Sequence, residues 1–174
     1  MAVLEIRQYP DPILRQQAKT VESINGDLQL LIDDMFETLY AAPGLGLAAP
    51  QVGHSLRLFV YDLSVAEEGK KGSPMVLVNP EFISQEGEAN EDEGCLSVSE
   101  YRESVVRAAR AVVRGMDRDG KEITVEGASL LAKLLQHEMD HLDGKLFIDR
   151  ISSLKRSIFL RRLKKLMKAR KEEE

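Results

Sequence analysis

Apolar residues recur at helical spacing from Asp27 to Tyr40, through Leu28, Leu31, Ile32, Met35, Phe36 and Leu39, and predict an amphipathic helix. Asn25 stands where its cap belongs. An early turn is expected at Tyr9-Pro10-Asp11-Pro12, and the Gly- and Ala-rich run from Pro43 to Gly53 predicts a loop. Leu56 to Asp62 alternates and is rich in strand formers, and Met75 to Val78 predicts another strand, stopped by Asn79-Pro80. Ala111 to Met116 and Glu122 to Val125 flank Asp117-Arg118-Asp119-Gly120, the pattern of a hairpin. A second helix is expected from a Ser129 cap to about Leu142, closed by Gly144. A third runs from Leu154 to about Lys171, with an apolar stripe of Leu154, Ile158, Leu163, Leu166 and Met167 among basic residues. Short, locally connected strands followed by late helices, without alternating strand and helix units, predict an α+β fold.

Composition narrows this picture. At 174 residues and 43% hydrophobic, the chain suits one domain, read as a body over residues 1–153 with a helix at 154–174 that is part of it or appended. No apolar run approaches the roughly 20 residues that cross a bilayer, and the first residues lack a signal-peptide core, so a cytoplasmic protein without membrane contact is expected. The net charge of −5 is uneven: residues 154–174 carry nine Lys/Arg and three Glu, a net +6, leaving −11 elsewhere. The single cysteine, Cys95, cannot form an intrachain disulfide, which leaves packing, nucleophilic attack or metal ligation as its roles.

The strongest chemical signal is His137-Glu138-Met139-Asp140-His141. On a helix, histidines four residues apart stand one turn from each other and can grip one ion, with Glu138 beside them as a base. Leu130 and Leu134 continue that face, so the site is expected to be polar at one end and apolar at the other. A catalytic ion normally has three protein ligands. The metzincin pattern fails because Phe147 occupies the position of its third histidine, and Asp149 is the remaining downstream candidate. Upstream, Glu93-Gly94-Cys95-Leu96-Ser97 offers a soft thiolate beside a glycine, which makes Cys95 the expected third ligand. Gly44-Leu45-Gly46-Leu47-Ala48-Ala49 formally fits a dinucleotide fingerprint, but a helical pattern precedes it and Pro50 and Gly53 interrupt the residues after it, so no nucleotide cofactor is expected.

Gly44-Leu45-Gly46-Leu47-Ala48-Ala49-Pro50-Gln51, Glu93-Gly94-Cys95-Leu96-Ser97 and Gln136-His137-Glu138-Met139-Asp140-His141 resemble, in order and spacing, the three motifs of peptide deformylases. The similarity runs from Tyr9-Pro10-Asp11-Pro12 through Leu146-Phe147-Ile148-Asp149-Arg150, nearly everything except the basic tail. Ser99 departs from it, since many members carry Pro there. The resemblance implies short antiparallel sheets around a central H-E-x-x-H helix, and one divalent ion held by Cys95, His137 and His141. That ion is often Fe(II) in the family, with Zn, Ni or Co able to occupy the same site. It also implies a metallohydrolase that removes the formyl group from formyl-methionine at the start of nascent polypeptides and releases formate. Glu138 would take and return the proton, while the Gln51 amide and the Leu96 backbone N–H stabilise the oxyanion.

The methionine side chain is expected to lie against Leu130 and Leu134, and the peptide backbone beside Gly46 and Gly94, where glycine permits close approach. The basic helix either packs its apolar stripe on the body or docks on the ribosome through Lys155, Arg156, Arg161, Arg162, Lys164 and Lys165. A general metalloprotease and a non-enzymatic RNA-associated protein with a structural metal are the rival readings. His54 is assigned no role.

Overall fold

The computed structural model describes residues 2–67 and 72–173. Helix α1, Gly26–Ala41, starts where Asn25 accepts a hydrogen bond from the Leu28 N–H at 3.0 Å. The strands are β1 (Gly46–Ala48), β2 (Leu58–Tyr61), β3 (Met75–Glu86), β4 (Ala89–Cys95), β5 (Val98–Arg107), β6 (Arg110–Met116) and β7 (Glu122–Ala128). Helices α2 (Leu130–Leu142) and α3 (Ser153–Glu173) come after them. One antiparallel sheet of five strands has the order β1-β2-β3-β6-β7, and β4 and β5 form a separate two-stranded hairpin. This is the α+β architecture expected, with α2 at its centre.

Every residue of β2 is buried because both faces of the sheet are covered. Leu58 and Val60 pack with Leu28, Ile32, Met35 and Leu39 of α1, while Phe59 and Tyr61 pack with Leu134, Leu135, Met139 and Leu142 of α2. The period of two along the strand thus sends alternate side chains to the two helices. Each fully buried aliphatic side chain, such as Ile32, stabilises the fold by about 1.5–3 kcal/mol relative to exposure. A third cluster, built on Val98, Val105, Leu146, Phe147, Ile148 and Phe159, anchors the hairpin and the first turns of α3.

Several expectations are corrected. Asn79-Pro80 does not stop β3: the strand continues to Glu86 through a bulge between Val78 and Glu81. Asn79 adopts φ 50°, which asparagine tolerates, and its side chain bonds the Val21 N–H and C=O at 2.8 and 2.9 Å. The supposed loop after Pro43 contains β1 and a 3-10 turn over Ala49–Val52. Strands β4 and β5 were not anticipated, because β4 is mostly acidic and small residues and charged residues interrupt the valines and tyrosine of β5. Ser129 sits at the start of α2 with φ 55° and makes no side-chain cap; its carbonyl accepts from the Lys133 N–H instead. Of α3, Phe159 is buried and Leu163 partly so, whereas Leu154, Ile158, Leu166 and Met167 of the predicted stripe are exposed.

Gly144 has the left-handed φ of +74° at the end of α2, and a β-carbon there would meet the Arg15 carbonyl oxygen at 2.5 Å. That close approach brings the early turn at Pro12–Arg15 against the helix end. None of the described helices is long and apolar enough to cross a membrane.

Asp62 is fully buried and accepts bonds from Ser64 N and Oγ, Ser73 N and the Tyr40 hydroxyl. Burial acts to raise its pKa, but the bonds from Ser64, Tyr40 and Ser73 outweigh it and hold the carboxyl below its ordinary value. This stabilisation is present above the unfolded carboxylate pKa near 4 and is lost as pH falls through the lower folded value. Asp62→Asn is therefore expected to destabilise the fold by roughly 1–3 kcal/mol at pH 7, with a smaller deficit at pH 3, in urea unfolding. A deficit independent of pH would contradict the assignment.

Candidate metal centre

Three donors come together from two elements. His137 and His141 lie one turn apart on α2, and Cys95 ends β4 beside them. Cys95 Sγ is 3.4 Å from His141 Nε2, which is 3.3 Å from His137 Nε2, and the donor atoms of the three all lie within 4.8 Å of one another. Bonds of about 2.0–2.1 Å to nitrogen in a tetrahedral shell separate neighbouring nitrogens by about 3.3–3.4 Å, so the imidazoles stand at ligand spacing. A thiolate with two imidazoles suits a transition ion and not Mg or Ca, which take oxygen ligands. The residues therefore fit one divalent ion. Asp149 is elsewhere: it pairs with Arg15 and accepts from the Leu146 N–H. His54 is exposed.

The hairpin is locked to α2 by buried charges. Glu93 Oε1 is 2.9 Å from His137 Nδ1, and Arg107 donates to both Glu93 oxygens at 2.7 and 2.8 Å. A further Arg107 nitrogen donates to Asp140 at 2.7 Å, and Arg150 closes the chain on both Asp140 oxygens. Burial would raise the Glu93 pKa, yet the bonds from Arg107 and His137 hold it at about 2. His137 is drawn in the opposite direction: burial disfavours its cation, but Cys95 and Glu93 raise its pKa well above the ordinary value. The surroundings of its ring thus favour positive charge, which an ion between the donors would supply. His141 is shifted well below its ordinary value by burial, His137 and Arg107, which keeps it in the neutral form that ligates.

Glu93 and Arg107 were missed as functional groups. Glu93 and Cys95, two apart on β4, both face the α2 histidines, although the strand pairing is irregular between Gly94 and Cys95. Nothing local marks Arg107 as their partner.

Gln51 is buried, and its Oε1 accepts from the Ala48 N–H at 2.9 Å, which fixes the amide orientation. Its Nε2 donates to Ser97 Oγ at 3.1 Å and lies 3.6 Å from Cys95 Sγ, so the NH2 group borders the metal donors. The Ser97 N–H also points at that sulfur, 3.4 Å away. Glu138 is buried beside Gly46, where a β-carbon would stand 2.7 Å from Oε1, and its Oε2 has no partner among the described residues. Burial pushes its pKa up to about 7, opposed by His137 and Arg107 and assisted by Glu93.

These groups open on a cleft of about 680 Å³. Gly46, Gln51, Gly94, Cys95, Leu96 and Glu138 line its polar end, and Leu130, Leu134 and His137 line the wall formed by α2. Every residue expected at the site borders this cleft except His141, which is buried behind it. Ser99, the departure from the resemblance, donates to Gln8 Oε1, and Gln8 in turn donates to the Leu96 carbonyl. The loop after Leu96 is thus held by side-chain bonds.

The polypeptide deformylase family model matches residues 3–157. Peptide deformylase of Syntrophobacter fumaroxidans is 54% identical over 168 residues, covering 97% of this chain and 98% of that protein. Peptide deformylase of Thermodesulfovibrio yellowstonii is 53% identical over 164 residues, 94% of this chain and 98% of that one. The crystal structure of a peptide deformylase from Legionella pneumophila superposes with a TM-score of 0.89 at 47% identity, covering 97% of this chain and 98% of that one.

Glu93→Ala removes the orienting partner of His137 and strands Arg107. Metal affinity is expected to fall about 10–100-fold, with a stability loss of roughly 3–5 kcal/mol. Competition titration with a chelator and urea unfolding measure the two effects, and Glu93→Gln isolates the charge from the shape. Unchanged affinity in both variants would contradict the orienting role.

Proposed function

Because the chain belongs to the peptide deformylase family, we propose that Cys95, His137 and His141 hold its metal and that Glu138 carries the proton. The family is a metal-dependent hydrolase acting on formylated nascent peptides, and this chain is such an enzyme. The observation that carries the residue assignment is a buried carboxylate oxygen, Glu138 Oε2, left without a partner among the described residues on the wall of the cleft beside three metal-type donors.

A divalent ion bound there supplies Lewis acidity, polarising the formyl carbonyl and making water more acidic. Fe(II) is the native ion in this reading, with Zn, Ni or Co as substitutes that a thiolate and two imidazoles can also ligate. Glu138 takes a proton from water as its oxygen bonds to the formyl carbon. The same carboxyl returns the proton to the leaving amine as the carbon–nitrogen bond breaks, so one water is consumed and formate departs. Gln51 donates its amide N–H to the developing oxyanion, with the Leu96 N–H as the second donor. The Ala48 bond to Gln51 Oε1 supports this role by keeping the donor end of the amide towards the Cys95 sulfur.

The side chain of formyl-methionine lies against Leu130 and Leu134, and the peptide backbone runs past Gly46 and Gly94. Residues 1–153 are the catalytic domain, and residues 154–174 a basic helix, part of that domain or appended to it, that docks on the ribosome in the cytoplasm where formylated chains emerge. Two features support that docking: the +6 charge of the segment and the exposure of Leu154, Ile158, Leu166 and Met167. Lys155 is already engaged by Glu103 at 3.0 Å, so Arg156, Arg161, Arg162, Lys164 and Lys165 carry the phosphate contacts.

Glu138→Ala is expected to abolish formate release from formyl-Met-Ala-Ser while retaining metal, and Gln51→Ala to lower turnover by about 10²–10³-fold. Full turnover in either variant removes that residue's role. Ribosome cosedimentation should weaken steeply between about 50 and 200 mM salt and be lost when Arg161, Arg162, Lys164 and Lys165 are changed to Ala. Salt-insensitive binding would remove the docking reading.

A further inference from the structure

Helix α2 presents Leu130, Lys133, Leu134 and His137 to the cleft, and their i, i+3, i+4, i+7 spacing makes one continuous stripe. A lysine therefore stands among the apolar side chains, one turn from a metal ligand. Its side chain is 21% exposed. The ammonium donates to the Asp92 carbonyl of β4 at 3.0 Å and lies 3.7 Å from Glu91 Oε2. An ammonium has three N–H donors. One backbone carbonyl, with a carboxylate beyond ordinary hydrogen-bond length, leaves donor capacity at the cleft wall, where Asp92 also lies. The four-carbon stem supplies apolar surface and the tip supplies charge.

We propose that Lys133 gives the side-chain pocket a hydrogen-bond donor, so that this deformylase also processes formylated chain ends whose first side chain is unbranched and carries a neutral acceptor, as in methionine sulfoxide. The inference rests on the reading of Leu130 and Leu134 as walls of the methionine pocket. In a wholly apolar pocket the sulfoxide oxygen loses water and gains nothing, which penalises the oxidised substrate. Lys133 replaces that lost partner. Glu91 sets the limit of the tolerance: a carboxylate side chain would meet like charge beside the same ammonium.

The test compares kcat/KM of the metal-loaded enzyme for formyl-Met-Ala-Ser, its methionine sulfoxide counterpart and formyl-Gly-Ala-Ser, in wild type, Lys133→Met and Lys133→Arg. The sulfoxide-to-thioether ratio is expected to fall about tenfold or more in Lys133→Met and to be retained in Lys133→Arg. A ratio taken within each variant does not depend on how much of the preparation is folded. Equal ratios in wild type and Lys133→Met, with formyl-Gly discriminated against, overturn the role of Lys133 alone. Wild type that cleaves formyl-Gly as well as formyl-Met overturns the pocket reading and this inference with it.

Discussion

The structure depends on one buried contact, the Arg107–Glu93–His137 chain that joins the β4–β5 hairpin to α2. A site whose donors come from separate elements works only if those elements are held in fixed relation, and of the candidate donors Cys95 rides on the hairpin while both histidines ride on the helix. Apolar packing holds the hairpin but sets no ring orientation. The Glu93 carboxylate does set one, leaving His137 Nε2 facing the other donors. Burying these charges is costly, so each is satisfied more than once: Arg107 reaches two carboxylates, and Asp140 is shared by two arginines. Gln136 adds a second clasp, bonding both the N–H and the C=O of Ala108 at 2.9 Å.

The groups proposed to react are placed by that frame. Helix α2 is flanked by the five-stranded sheet and the hairpin, so Glu138 is buried, and it borders the cleft beside Gly46, the residue whose missing side chain leaves room for it. Gln51 belongs to the short turn after β1, and its orientation is set by the neighbouring Ala48 backbone. Beyond Phe159 and Leu163, which pack on the body, α3 carries long cationic side chains beside the exposed Leu154, Ile158, Leu166 and Met167.

The parts of the fold legible in the sequence were those with strong local periodicity. Helix α1 and its Asn25 cap, the β6–β7 hairpin and α2 with its terminal Gly144 all carry their signals within a few residues. The candidate cluster was legible for the same reason: His137, Glu138 and His141 share one helical turn, and Cys95, which the structure places beside the two histidines, sits in a short motif. The elements that local reading missed were decided by tertiary contacts. Asn79-Pro80 reads as a strand end, but the Val21 backbone satisfies Asn79 and the strand continues through a bulge. The acidic β4 looks like a solvated loop, although Glu93 is buried by Arg107, an arginine 14 positions away. Lys133 is a similar case, since a lysine on a helix is ordinarily solvated and only its neighbours on α2 place it in the cleft.

The most direct test of the metal assignment is X-ray absorption at the metal edge of anaerobically loaded protein, beside Cys95→Ser. One sulfur neighbour at about 2.3 Å and two imidazole nitrogens, with the sulfur lost in the variant, are the predicted result. A shell of nitrogen and oxygen alone in the wild type would contradict it, because Cys95 would then be packing and not a ligand.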